Sequence, residues 1–119
     1  MRIEYKQGRV MLAAVGVVMA TMAQITLALA DDMPTFQLTA RDGRFIPETI
    51  EAPAGKKFRI VIRNAGATPE EFESIELRKE TVLAPGVTRT VVFAPMKPGT
   101  YKFFGDFHPD TAKGQIVVK

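Results

Sequence analysis

Turn-forming residues recur about every ten positions from residue 31 onward, which leaves room only for short extended segments. Arg41-Asp42-Gly43-Arg44, Ala52-Pro53-Ala54-Gly55, Asn64 through Pro69, Ala84-Pro85-Gly86 and Pro95 through Gly99 each interrupt the chain. Between these breaks the residues alternate. In Lys57–Asn64, Phe58, Ile60 and Ile62 fall on one side and Arg59 and Arg63 on the other, the period-2 pattern of a half-buried strand. Thr35–Ala40, Thr88–Phe93, Thr100–Phe104 and Gly114–Lys119 read the same way. Glu71–Leu77 reads as a strand despite its charge. Phe45–Glu51 contains Pro47 and is expected at an edge or as a crossing segment. Seven or eight short strands with no sustained helical period predict an all-β fold, a small β-sandwich or barrel.

The first thirty residues follow another pattern. Arg2, Lys6 and Arg9 precede an apolar run from Val10 to Ala20, and Ala28-Leu29-Ala30 closes the segment. These are the three parts of a secretory signal. A spanning helix needs about 20 predominantly apolar residues, and Thr21, Gln24 and Thr26 interrupt this one. Residues 1–30 are therefore predicted to be a signal peptide cut after Ala30. Residues 31–119 form one exported, periplasmic domain with no membrane span after cleavage.

Several function classes drop out. With no Cys in 119 residues there is no disulfide, no zinc-finger spacing and no thiol nucleophile. Of 16 basic and 13 acidic side chains, Arg2, Lys6, Arg9 and Glu4 belong to the leader, which leaves 13 and 12. A near-neutral domain has no electrostatic footprint for nucleic acid. Ser74 has no His partner in the pattern and there is no Gly-rich phosphate loop, so hydrolysis finds no support. No catalytic residue is identified.

The polar chemistry concentrates in two segments. Residues 70–80 carry Glu70, Glu71, Glu73, Glu76 and Glu80, which repel one another unless cations neutralise them. On a strand, Glu71 and Glu73 share a face. Arg78 and Lys79 offer compensation within the segment, and charge on an edge strand also blocks aggregation. The second segment, Gly105-Asp106-Phe107-His108-Pro109-Asp110, holds the one His of the chain. Neutral imidazole is a good metal ligand. Met96 is a soft donor in a Pro-Met-Lys-Pro turn, where core packing is the expected role.

Pro98-Gly99-Thr100-Tyr101-Lys102-Phe103-Phe104-Gly105-Asp106-Phe107-His108, followed by Gly114–Val118, resembles the closing ligand loop of cupredoxins. Phe45-x-Pro47, Ala54-Gly55 and the Lys57–Asn64 strand fit the same family, so the resemblance covers nearly all of residues 31–119. It implies a cupredoxin-like Greek-key β-sandwich. Residues 70–74, 76–80 and 99–114 look most like the small cupredoxin-like proteins associated with bacterial iron-uptake permeases. That resemblance implies an iron-uptake permease or other periplasmic iron-transport components as partners.

Against the family's pattern, Gly105 stands where the copper thiolate would be. The first His position falls near Glu70 or Glu71, and Lys113 falls near the axial Met. No type 1 blue copper is therefore expected. The remaining set, Glu71, Glu73, Glu76, Asp106 and His108, is anionic and oxygen-rich and suits Fe(III) or Cu(II) in an N,O site. Three readings follow: a metal-binding protein holding iron or copper for iron uptake, a copper-dependent oxidation of ferrous iron or electron transfer ahead of a permease, and a metal-free partner-binding sandwich.

Overall fold

The alternation in the sequence becomes two facing sheets with the apolar side chains between them. The computed structural model describes residues 33–119. The leader and the Ala30 cleavage lie outside the described residues. Nine strands follow in order: β1 Thr35–Arg41, β2 Arg44–Ile46, β3 Thr49–Ala52, β4 Phe58–Asn64, β5 Glu70–Ser74, β6 Lys79–Leu83, β7 Thr88–Phe93, β8 Gly99–Phe104 and β9 Lys113–Val118. One sheet has the order β2-β1-β4-β7 and the other β3-β9-β8-β5-β6. The β1–β4 and β3–β9 pairs are parallel and the remaining pairs antiparallel. Among the described residues there is no helix, and so none long and apolar enough to cross a membrane.

The all-β sandwich agrees with the sequence reading, with two refinements. Phe45–Glu51 is not one strand. Pro47 cannot donate to a ladder, and the chain changes sheets there, β2 pairing with β1 and β3 with β9. Lys79–Leu83, within and just after the charged stretch, forms β6 and pairs with β5 along its whole length.

The core is aromatic. Phe45, Phe72 and Phe103 meet with ring centroids 5.0–6.2 Å apart, and Phe58 stacks on Phe93 at 4.9 Å. All five are at most 1% exposed. Such rings supply large apolar area and geometric preference together. Met96 packs on the edge of this core. The cluster fixes β5 against β8, and therefore fixes the start of β5 against the β8–β9 loop. Phe72→Ala is expected to lower the unfolding free energy by about 3–5 kcal/mol in urea titrations. Val82→Ala, at a side chain 50% exposed, should stay within about 0.5 kcal/mol.

Candidate metal centre

Phe72 faces the core, so its neighbours of the same parity in β5, Glu70 and Ser74, face inward too. Glu70 is 3% exposed. The loop before it is held by Asn64, whose Nδ2 donates to the carbonyls of Thr68 (2.8 Å) and Leu83 (3.0 Å) and whose Oδ1 accepts from Gly66 N–H (2.9 Å). A buried carboxylate needs partners. Glu70 Oε1 accepts from the Glu71 N–H at 3.0 Å, and Oε2 lies 2.6 Å from His108 Nδ1.

The loop between β8 and β9 delivers His108. Gly105 N–H donates to Ala112 O (2.8 Å), Ala112 N–H to His108 O (2.8 Å) and Thr111 Oγ1 to Gly43 O (2.6 Å). Gly43 has φ +69°, and a Cβ there would sit 2.9 Å from His108 Cδ2. Glycine at this turn thus supplies both the left-handed backbone and the space for the ring. With Nδ1 donating to the carboxylate, neutral His108 carries its lone pair on Nε2. Nε2 has no hydrogen-bond partner among the described residues. No buried side-chain nitrogen or oxygen among the described residues lacks one, so Nε2 reaches solvent. The ring borders a shallow cavity of about 290 Å³ lined by Thr68, Pro69, Phe107 and His108.

Gly105 is buried for a different reason. A Cβ there would run into Glu70 Oε1 and lie 2.8 Å from Glu70 Cδ and 2.9 Å from Ala112 Cβ. The Glu70 carboxylate fills the space into which a side chain at position 105 would point.

The cupredoxin-like domain family matches residues 10–118. The chain belongs to that family. An uncharacterized protein of Rickettsia prowazekii (strain Madrid E) is 43% identical over 88 residues, 74% of this chain and 70% of the relative. Among solved structures, the metal binding domain of the Streptococcus pneumoniae D39 Cu(I)-exporting P-type ATPase CopA, with Cu(I), aligns at TM-score 0.66 and 18% identity over 76% of this chain and 90% of that one. Auracyanin A, a "blue" copper protein from Chloroflexus aurantiacus, aligns at 0.59 and 18% over 71% and 98%.

This cupredoxin-like chain does not fit a thiolate copper. It has no Cys, the β position of Gly105 is closed by Glu70, and Glu70 and His108 bond to each other. The other residue packed against the β position of Gly105 is Ala112, fully buried, while Lys113 is exposed. Ala112, rather than Lys113, therefore occupies the place beside Gly105.

The remaining carboxylates gather elsewhere. Glu71 and Glu73 share the outer face of β5, as their spacing requires, and Glu80 of β6 joins them across the Glu73–Glu80 pair. Oxygens of the three lie within 4.8 Å of one another. Burial first, then Glu80, Glu73 and Asp106, push the Glu71 pKa up from 4.5 to about 7. The five residues expected to converge are thus divided. Glu71 and Glu73 come together with Glu80, Asp106 acts on Glu71 through its charge, and His108 pairs with Glu70 instead. Glu76 joins neither group, because its Oε1 accepts from the Lys102 N–H at 2.8 Å. Ser74 Oγ donates to Lys102 O at 2.8 Å. Both side chains satisfy β8 where β5 turns away.

Glu70 was legible through its parity with Phe72. Glu80 needed the β5–β6 register, which no local signal carries.

A raised carboxyl pKa means that the folded state holds the proton more tightly than the unfolded chain. Its stabilisation is present below pH 4.5 and is lost as pH rises through about 7. Glu71→Gln should flatten that loss and raise the melting temperature at pH 8 relative to wild type, measured by thermal melts with chelator present. An unaltered pH profile would mean that Glu71 is solvated.

Proposed function

We propose that this protein is a non-blue metal-binding module of the cupredoxin-like family, one that takes iron or copper through nitrogen and oxygen donors and serves iron uptake in the periplasm. The bond between Glu70 and His108 carries the reading. Metal-ligating histidines commonly donate one ring N–H to a carboxylate, which fixes the tautomer and makes the other nitrogen more basic. Here the carboxylate is buried and the other nitrogen reaches solvent. Imidazole nitrogen with oxygen co-ligands suits Cu(II) and iron. The three carboxylates on the outer face of β5 and β6, with Asp106 close enough to act on Glu71, raise the local concentration of cations beside the loop. The periplasmic setting rests on the leader at residues 1–30. The partnership with an iron-uptake permease rests on the resemblance of residues 70–74, 76–80 and 99–114.

Thermal melts with and without Cu(II) or Fe(III) test the reading. A ligand that binds only the folded state at 100 times its Kd adds about 2.7 kcal/mol. Wild type should show a metal-dependent rise in melting temperature. His108→Ala should lose most of that rise, and Glu76→Gln should keep it. The increment is the readout, because His108→Ala also lowers the metal-free melt by leaving Glu70 with one N–H partner. No increment in wild type would remove the metal and favour the partner-binding reading.

A further inference from the structure

The cavity beside His108 has walls unlike those of a site for a bare ion. Its lining among the described residues is Thr68, Pro69, Phe107 and His108, so His108 is the one of them whose side chain is a strong metal ligand. The nearest carboxylate, Glu70, already bonds Nδ1 and the Glu71 N–H. Glu71, Glu73 and Glu80 belong to the outer sheet face and do not line it. Phe107 is nevertheless 49% exposed and Pro69 is also exposed, so an aromatic ring and a pyrrolidine stand in water around one basic nitrogen.

A hydrated ion held there gains one nitrogen and no carboxylate from the lining, while its water shell lies against apolar surface. A metal that arrives with organic ligands brings its remaining donors and its counter-charge with it. It needs one exchangeable coordination position for Nε2, and it covers the Phe107 and Pro69 surface with its own apolar part. About 290 Å³ is far more than one ion fills and is on the scale of a small organic ligand.

We infer that His108 Nε2, with Phe107 and Pro69, forms a site for a metal chelate with one open coordination position and an apolar organic ligand. This rests on the metal-binding reading above and names its substrate class. No bond other than metal–nitrogen forms, water leaves the metal, and nothing is oxidised or reduced. Glu70 acts as a positioning residue by holding Nδ1.

Calorimetric titrations with four probes distinguish the cases: Cu(II) alone, Cu(II)–iminodiacetate, Cu(II)–N-benzyliminodiacetate, which adds only an apolar ring to the same tridentate dianionic ligand, and Cu(II)–EDTA, which has no position to spare. The N-benzyliminodiacetate complex should bind wild type about tenfold more tightly than the iminodiacetate complex, with one imidazole nitrogen seen by electron paramagnetic resonance, and the EDTA complex should not bind. Phe107→Ala should remove the N-benzyliminodiacetate preference and leave the iminodiacetate affinity in place. His108→Ala should abolish both. Glu70→Gln should weaken both about tenfold or more, with circular dichroism confirming the fold. Equal affinities for the N-benzyliminodiacetate and iminodiacetate complexes, or His108-dependent binding of Cu(II) alone that exceeds both, would overturn the chelate inference and leave the metal-binding function standing. Absence of His108-dependent binding with every probe would overturn the function as well.

Discussion

One contact organises the functional end of this sandwich: Glu70 Oε2 against His108 Nδ1 at 2.6 Å. It joins the start of β5 to the β8–β9 loop across 38 residues of sequence. A buried carboxylate without a partner is costly, so the loop is held where the imidazole can reach it. Gly43 leaves the ring its space, and Thr111 ties the loop to the same turn. Gly105 leaves the carboxylate its space. Each of these residues is intelligible once the pair is in place.

The pair also explains how a cupredoxin-like frame parts from thiolate copper chemistry without losing its shape. The two-sheet fold is retained. The place toward which a side chain at position 105 would point is filled by a carboxylate from the neighbouring strand. The carboxylate of the pair is buried and the imidazole is half-buried, so removing His108 leaves a buried charge short of a partner, which costs more than the pair contributes in net stability. Glu70 and His108 are therefore coupled in the folded protein before any metal is considered, and what the pair offers to a ligand is the outer nitrogen of the ring.

The strands were legible because apolar alternation is local. Phe58, Ile60 and Ile62 lie fully buried on one side of β4, with Arg63 exposed on the other. The break at Pro47 was signalled but not the change of sheet, since which ladder accepts Thr49–Ala52 depends on β9, more than sixty residues away. The site was half legible. The shared face of Glu71 and Glu73 follows from spacing alone. That Glu70 meets His108 follows from the inward parity of Phe72 together with the path of the closing loop. Glu76 carries the same charge as its neighbours, yet it serves the backbone of Lys102, because β5 has already ended at Ser74. Composition cannot separate these roles.

The most direct test is the ring tautomer of His108, read from its two nitrogen chemical shifts in a long-range proton–nitrogen spectrum of the uniformly labelled protein in chelator. The single His makes the assignment immediate. The account requires a protonated, hydrogen-bonded Nδ1 in the folded protein, and a shift toward a mobile ring in Glu70→Gln. A neutral ring protonated on Nε2, with a bare Nδ1, would contradict it.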